Sequence, residues 1–377
     1  MTWLRIRAVF RKEWRHILRD PRSLLMALAV PVLLLLLFGF ALSLDVDRIP
    51  TLIYDADQSA DSRELVSRFE ASRYFQVRGY VNDYHSLEGE IDRARILMGI
   101  VIPKRYGERV RAGETSDVQI LLDGSDSNTA SIALTYAESL VGQYAFQLRA
   151  KAQNHTGGVN LELPIDPRVR VWYNSSLESK NYVVPGLIAV ILMIIAALLT
   201  SLTIAREWET GTMEQLLATP LRPAEIVVGK MMAFFVVGAG DTAITVLAAL
   251  LVFHVPFRGS VVVFAATSCV YLCGALFWGI YLSAVTKSQL LAYQMGIVTS
   301  FLPSFLLSGF IYSVENMPDA VQLITRIVPA RYFVTIVKGI FLKGVGLEVL
   351  WPDVLFLALF SGLVFFGATR KLSQKLA

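Results

Sequence analysis

The sequence contains few of the residues on which soluble enzymes and secreted scaffolds depend. Charged side chains make up 18% of its 377 residues and hydrophobic ones 54%, a balance that soluble domains rarely show. The two cysteines, Cys269 and Cys273, lie four positions apart in an apolar run. A disulfide along one helix face has poor geometry, so we interpret both as small buried side chains. The polar middle of the chain has no cysteine, which excludes a disulfide framework there.

The chain also lacks the motifs that carry nucleotide, metal or hydrolytic chemistry. Neither G-x-x-x-x-G-K-[ST] nor G-x-G-x-x-G occurs, so no phosphate-binding loop is predicted. The histidines lie one per segment, without the spacing of a metal site: His16, His85, His155 and His254. We therefore predict no catalytic residue, no metal site and no enzyme activity of the chain on its own.

One polar segment, DGSDSN at Asp123 to Asn128, has the composition of a calcium loop. It carries Leu134 where the twelfth position of such a loop needs glutamate. We favour a turn that caps the helix following it.

Long hydrophobic runs are what the sequence does have. Several exceed 18 residues, enough for a helix to cross a bilayer, so the predicted fold class is a polytopic α-helical membrane protein. Six transmembrane helices are predicted, at Ser23–Leu44, Tyr182–Ala205, Ala224–Phe253, Ser260–Thr286, Gln289–Tyr312 and Trp351–Thr369. The first run is too long for the apolar region of a cleaved signal, so we expect an uncleaved anchor.

Residues 1–22 are strongly basic, with seven Lys or Arg against two Asp or Glu. Apolar residues recur among the arginines at helical spacing until Pro21, which predicts an amphipathic interfacial helix. Nucleic-acid binding is an alternative explanation of such a run. We favour a segment on the cytoplasmic side of a membrane, because positive charge collects there. Both termini are then cytoplasmic.

Residues 45–180 have the composition of a soluble domain, and strand and helix patterns alternate through them, which predicts an inserted α/β domain. The candidate strands are Pro50–Tyr54, Phe75–Val81, Met98–Ile102, Val118–Leu122 and Arg170–Tyr173. The candidate helices are Ser59–Ser72, Ser86–Ala94, Arg105–Arg111 and Thr129–Lys151. The alternating topology places this domain outside the cytoplasm. Residues 181–377 hold transmembrane helices two to six.

The segment between the last two predicted helices has an apolar stretch, Tyr332–Leu342, that is too short to cross a bilayer. A re-entrant hairpin over about residues 314–349, with breaks at Pro329 and Gly339, would accommodate it.

A charged segment, Arg206 to Thr219, lies between the second and third predicted helices and ends at Pro220. As one helix it would be about 20 Å long. Glu207, Gly211 and Glu214 would share a solvent-facing polar side, opposite the apolar side of Met213. Such a helix at a membrane surface presents its polar side to a partner, whereas an ordinary solvated loop is the alternative.

Three motifs carry a resemblance to a known family. They are A-R-E-W-E-x-G-T-M-E-x-L-L-x-T-P from Ala205, K-E-W-R-H-I-L-R-D-P-R-S-L from Lys12, and F-L-P-S-F-L-L-S-G-F from Phe301. Together they resemble the membrane subunits of ABC-2 type transporters, and the similarity covers the whole chain. Family members have a re-entrant hairpin between their last two helices.

The resemblance implies that residues 206–219 are a coupling helix seated in a groove of a separate ATPase subunit. Its coupling residues would be Arg206, Glu207, Glu209, Gly211, Thr212, Met213, Glu214 and Leu217. The ATPase would bind ATP and Mg²⁺, and this chain would bind no cofactor. It would pair with a second copy or a related subunit in the bacterial inner membrane. A large domain after the first helix is typical of multidrug or lipophilic-compound exporters, which often use a periplasmic adaptor.

Two further features invite a functional interpretation. Asp241 is the acidic residue well inside a predicted transmembrane helix, where it could bind a cation or relay a proton. We favour a structural carboxyl paired with the hydroxyl of Thr242 or Thr245, or facing a polar dimer cavity. The residues around Pro303 fit either helix packing or a hydrophobic substrate path: Phe301, Pro303, Phe305, Gly309 and Phe310.

The sequence therefore predicts the membrane subunit of an ABC exporter that moves a hydrophobic or amphiphilic compound. An ion-coupled secondary transporter using Asp241 is an alternative, but that class usually has internal repeats and we find none. A membrane sensor with an extracytoplasmic ligand-binding domain is another. It would need a cytoplasmic output module, and the cytoplasmic segments are too short for one.

Overall fold

The computed structural model describes residues 2–42, 47–155, 173–174 and 178–373. The chain divides into two compact units. Residues 1–43 and 170–377 form the helical unit, and residues 44–169 form the sheet unit.

The helical unit begins with two helices separated by one residue. Helix α1 (Trp3–Arg19) buries Ile6, Val9 and Glu13 and leaves most of its arginines exposed, which confirms the predicted amphipathic helix. Helix α2 (Pro21–Ala41) begins at a proline, whose missing N–H is not needed in the first helical turn. It therefore starts two residues before the predicted Ser23.

The sheet unit contains four strands and four helices among its described residues. They are β1 (Ile49–Asp55), α3 (Ala60–Ala71), β2 (Phe75–Tyr80), α4 (Tyr84–Asp92), β3 (Met98–Ile102), α5 (Tyr106–Arg111), β4 (Gln119–Leu122) and α6 (Ser127–His155). The first four candidate strands and the four candidate helices are confirmed to within a few residues. Most of the fifth candidate, Arg170–Tyr173, lies outside the described residues.

The sheet has the strand order β2-β1-β3-β4. Strand β1 pairs parallel with β2 and β3, while β4 pairs antiparallel with β3. Alternate residues of β1, including Ile49 and Ile53, are buried and pack with Phe69 of α3. Ser125 N–H donates to Asp123 Oδ1 (2.9 Å) just before α6, which confirms the predicted turn at that position.

The helical unit resumes with a series of apolar helices. They are α7 (Ser179–Glu209), α8 (Thr212–Leu217), α9 (Pro223–Leu251), α10 (Val261–Thr286), α11 (Gln289–Gly296), a π-helical turn (Ile297–Phe301), α12 (Leu302–Leu306), α13 (Asp319–Thr325), α14 (Pro329–Lys338), a second π-helical turn (Gly339–Lys343) and α15 (Leu347–Ser373).

Four of these helices, α7, α9, α10 and α15, are long and apolar enough to cross a membrane, with mean hydropathies of 2.0 to 2.8 over their most apolar windows. The pair formed by α13 and Pro329–Lys343 passes the same test but bends by 84°. Helix α2 contributes a shorter apolar stretch, Ala27–Ala41. The chain is thus a helical membrane protein, and the count of six spans stays a prediction.

The bent pair lies where a hairpin was expected. Pro329 starts α14, as predicted, because proline is tolerated in a first turn. The predicted break at Gly339 is wrong, since the helix continues through Gly339 as a π turn. It ends at Gly344, whose φ of +67° takes the chain out of helical geometry.

Helix α7 is the centre of the helical unit, and polar contacts fasten it to α10. The Thr200 hydroxyl lies 2.9 Å from Leu276 O and donates to it. The Ser283 hydroxyl accepts from the N–H groups of Ile204 (3.0 Å) and Ala205 (2.8 Å). The C-terminal end of α7 is therefore held in place just before the segment that was predicted to couple to a partner.

Candidate functional site

The segment from Arg206 to Thr219 is two helices rather than one. Helix α7 continues through Glu209, and α8 occupies Thr212–Leu217. Gly211 between them has a φ of +72°, which glycine adopts readily because it has no Cβ. The prediction of one unbroken helix is therefore wrong at Gly211, where the chain turns.

The predicted coupling residues fall into two groups. Met213 is fully buried, with Trp208 and Leu216 packed against the same apolar cluster. The side chain of Leu217 lies outside the described part of the chain. Glu207 is buried, whereas the following are exposed: Arg206, Glu209, Gly211, Thr212 and Glu214.

The expectation that Glu207 and Glu214 share a solvent-facing side is correct for Glu214 and wrong for Glu207. The Glu207 side chain is 10% exposed and points at two lysines. Lys230 Nζ lies 3.0 Å from Glu207 Oε2, and Lys12 Nζ donates to Glu207 Oε1. Glu207 is buried because α1 packs against the membrane helices at this position.

Lys230 completes an ion network with α1. Its ammonium donates to Glu13 Oε1 at 2.9 Å, and Lys12 Nζ lies 3.3 Å from the same oxygen. Two carboxylates and two ammonium groups thus balance each other among Lys12, Glu13, Glu207 and Lys230. The side chain of Lys230 is 1% exposed, because both carboxylates lie on the protein side.

The network shifts the pKa values of two α1 residues. Burial acts to raise the pKa of Glu13, but the charges and hydrogen bonds of Lys230 and Lys12 outweigh it, so the pKa is lowered. Burial acts to lower the pKa of Lys12, but the hydrogen bonds and charges of Glu207 and Glu13 outweigh it, so the pKa is raised. Both residues are held in their charged forms.

The residues after Glu207 bind a different part of the chain. Glu209 accepts a hydrogen bond from the backbone N–H of Gln289 (2.7 Å) and another from its side chain. Lys287 Nζ lies 4.4 Å from the centre of the Trp208 ring, a cation–π distance. Three consecutive residues of α7 therefore connect it to α1, to α9, to Lys287 and to the first residue of α11.

These partners were not identified from the sequence. Glu13 could have been, because it lies at helical spacing from the buried residues Ile6 and Val9, on the apolar side of α1. A charge on that side signals a buried partner. Gln289 and Lys287 carry no comparable signal.

The three aromatic residues of the predicted substrate path lie close together. Phe301 and Phe305 are partly buried with ring centres 5.2 Å apart, and Phe305 lies 5.7 Å from Phe310. Phe38 of α2 joins them, 5.7 Å from Phe305. Gly309 adjoins Phe310 with a φ of +76°. Pro303, partly buried, sits in the first turn of α12.

The burial of Phe310 decides between helix packing and a substrate path for that residue. Phe310 is 1% exposed and belongs to the apolar core, so helix packing accounts for it. Phe301 and Phe305 keep part of their surface free, and a path for an apolar compound stays a prediction for them.

Asp241 lies on α9 and is 1% exposed. The predicted bond to a threonine is not formed, because the Thr242 hydroxyl donates to Gly238 O at 2.7 Å. Within the described chain, Asp241 Oδ1 and Thr245 Oγ1 are buried without a hydrogen-bond partner.

Comparison with known proteins assigns the chain to a family. Residues 21–370 match the family model described as "ABC-2 family transporter protein". The chain is 34% identical to "Probable multidrug ABC transporter permease YbhS" of Escherichia coli (strain K12), over 98% of this chain and 96% of that protein. It is 34% identical to "Probable multidrug ABC transporter permease YbhR" of the same organism, over 93% of each chain.

A more distant relative is "Inner membrane transport permease YhhJ" of Escherichia coli (strain K12), 27% identical over 92% of this chain and 93% of that protein. The family match covers nearly all of the helical unit and the whole sheet unit. The chain therefore belongs to the ABC-2 family of transporter proteins and is a membrane subunit of an ABC exporter.

Proposed function

We propose that this subunit exports a hydrophobic or amphiphilic compound, driven by ATP that a separate ATPase hydrolyses while bound to the exposed side of residues 206–217. One observation carries the proposal. Glu207, Trp208 and Glu209 fasten this segment to three other parts of the protein, yet its far side stays exposed.

The exposed side is the docking surface. Thr210, Gly211, Thr212 and Glu214 are exposed, while buried Met213 anchors the segment to the apolar cluster beneath. Because α8 is packed against this cluster, a displacement of α8 would move the helices that form the cluster. Glu207, now inside the protein, serves as an anchor of this surface and not as a contact of the ATPase.

The connections suggest how ATPase motion would reach the membrane. Glu209 holds Gln289, the first residue of α11, and that helix leads through the π turn at Ile297–Phe301 to the aromatic residues. Glu207 holds Lys12 of α1 and Lys230 of α9. A tilt of the docking surface would therefore move three helices together.

The arrangement in the membrane follows from charge and from the family. We propose six spans, with α2 and the helix from Gln289 to Leu306 added to the four long apolar helices. The basic α1 and the docking surface would be cytoplasmic, and the sheet unit periplasmic, as the positive-inside rule favours. The subunit would work in the inner membrane, paired with a second copy or a related subunit. An adaptor would bind the periplasmic unit.

Affinity purification of the tagged chain from its native membrane tests the ATPase assignment. An ATPase with a phosphate-binding loop should co-purify in stoichiometric amount with the unaltered chain. Replacing Thr212 and Glu214 together with alanine should remove it without reducing the yield of folded subunit, since both side chains are exposed. Glu315→Ala, at an exposed acid outside the segment, is the matched control. Absence of an ATPase from the unaltered chain in mild detergent would refute the proposal.

A further inference from the structure

Lys338, the last residue of α14, occupies an unusual position for a lysine. Its side chain is partly buried, and its Nζ lies 3.3 Å from the centre of the Tyr182 ring. The ammonium donates to Gly309 O at 3.2 Å, and the Tyr182 hydroxyl donates to the same carbonyl at 3.0 Å. The charge is therefore held in a fixed place by a ring and one carbonyl oxygen.

No carboxylate of the described residues lies within ion-pair distance of Lys338. Lys230, whose side chain is 1% exposed, is paired with both Glu13 and Glu207. A buried ammonium is costly unless an opposite charge or several hydrogen bonds compensate it. A ring face and one carbonyl compensate it only in part. Among the described residues, Lys338 thus lacks the anionic partner that Lys230 has.

The aromatic residues begin directly beside this cation. Gly186 of α7 is the point of contact: a Cβ there would lie 2.5 Å from Phe310 Cδ2 and 3.5 Å from Lys338 Cε. From Phe310 the rings continue to Phe305 at 5.7 Å and to Phe301 at a further 5.2 Å. A positive charge therefore stands at one end of a row of apolar rings, the last two of which are partly exposed.

We propose that Lys338 and this aromatic row bind an anionic amphiphile. A carboxylate, phosphate or sulfate head would accept hydrogen bonds from Nζ, and the apolar body would lie along Phe305 and Phe301. A neutral compound would leave the charge uncompensated, and a cationic one would be repelled. This inference rests on the proposed export function, because it names the class of compound that the exporter carries.

Two sources could supply such a molecule: an exported compound or an anionic lipid of the bilayer. Both share the chemistry that Lys338 recognises. A bilayer made only of zwitterionic lipid contains neither an exported compound nor an anionic lipid. Binding of an added anionic probe can be measured in such a bilayer, and anionic lipid can then be added as a competitor.

The test uses the whole chain in phosphatidylcholine nanodiscs, with empty nanodiscs subtracted. The probe is dansyl-aminoundecanoic acid, and its methyl ester is the neutral match; dansyl fluorescence reports binding. The acid should bind saturably and at least about tenfold more tightly than the ester, the scale expected of a hydrogen bond to a charged group. Lys338→Gln should abolish this preference and Lys338→Arg should retain it. Lys343→Gln, at an exposed lysine of the same hairpin, should change nothing.

Equal binding of acid and ester by the unaltered chain would overturn the proposal, and this comparison needs no variant to fold. An unchanged preference in folded Lys338→Gln would also overturn it. Competition by added phosphatidylglycerol would support a lipid occupant, and lack of competition an exported compound; either result keeps the anionic site. No ATPase is present in the assay, so failure here leaves ATP-driven export standing, and loss of ATPase co-purification leaves this site standing.

Discussion

Lys230 on α9 lies 2.9 Å from Glu13 on α1, and the two residues are 217 positions apart in the chain. This contact fixes the interfacial helix to a membrane helix beside the docking surface. Since Glu207 of α7 binds the same ammonium, a movement of α7 would also displace α1. The following predictions test the network, the docking surface and the alternative mechanism.

Removing Glu207 should destabilise the protein. Glu207→Ala leaves the buried ammonium of Lys230 with Glu13 as its one carboxylate. The expected cost is therefore below the roughly 3–5 kcal/mol of a fully unpaired buried charge, but well above that of a surface substitution. Glu214→Ala, at an exposed acid seven residues away on the same segment, should change the free energy of unfolding by no more than about 0.5 kcal/mol. Thermal unfolding of the purified subunit measures both. Equal midpoints for the two variants would show that the network is not formed.

Acid should weaken the protein through Glu13. Its folded pKa is lowered from the ordinary 4.5, so its contribution is complete above pH 4.5 and is lost as the pH falls through the lowered value. Lys12 has a raised pKa, so its contribution is present below its ordinary value of 10.5 and is lost only as the pH rises above that value. Unfolding midpoints of Glu13→Gln should therefore be less pH-dependent than those of the unaltered chain at acid pH. A parallel acid limb in both proteins would contradict this.

Substitution of Gly211 should disturb ATPase binding through the backbone. Its φ of +72° costs any L residue with a Cβ about 1–2 kcal/mol. No other atom lies within 4 Å of a Cβ placed there, so steric crowding inside the subunit is not the reason. Gly211→Asn should retain co-purification of the ATPase better than Gly211→Val, because asparagine tolerates positive φ. The reverse order would show that bulk, and not backbone geometry, governs the site.

Breaking the Glu209–Gln289 contact should uncouple ATP hydrolysis from transport. Glu209→Ala removes two hydrogen bonds to Gln289 and leaves the exposed Thr212 and Glu214 unchanged. The ATPase should still co-purify, while export per ATP hydrolysed falls. Vesicle transport and phosphate release measured on one preparation give the ratio, and Glu315→Ala serves again as control. An unchanged ratio of export to ATP hydrolysis would show that α11 does not connect the docking surface to the aromatic residues.

Neutralising Asp241 separates ATP-driven from ion-coupled transport. Asp241→Asn keeps the shape of a buried side chain whose Oδ1 has no hydrogen-bond partner in the described chain. We expect ATP-driven export to persist and to survive collapse of the ion gradient. Loss of export in Asp241→Asn, with Glu214→Ala fully active, would favour the secondary-transporter alternative.

Much of the secondary structure could be predicted from local patterns. Long apolar runs predicted α7, α9, α10 and α15, and the alternation of apolar and polar residues predicted β1. Each of these signals is contained in a short window of sequence. Boundaries differed where a helix continued past its apolar part. Helix α7 was expected to end at Ala205 but runs to Glu209, since charged residues with good helix propensity extend it.

The site was harder to predict because it depends on distant contacts. Glu207 was placed on the exposed side from its position on one helix alone. Its burial depends on Lys12 and Lys230, which are 195 and 23 positions away. Lys338 lies in the segment predicted as a hairpin, and it contacts Tyr182 of α7, which is 156 positions away in the chain. Such contacts have no local signature.

The π turn at Ile297–Phe301 gives α11 and α12 a way to move without unfolding. A π turn holds one residue more than an α turn of the same length, and the surplus residue can shift along a helix. Each step advances the following segment by about 1.5 Å and rotates it by about 100°. Phe305 lies four residues beyond the turn, so one step would rotate its ring away from its present neighbours Phe38 and Phe310. A change of helical register would then open the aromatic row, while Glu209 still holds the start of α11.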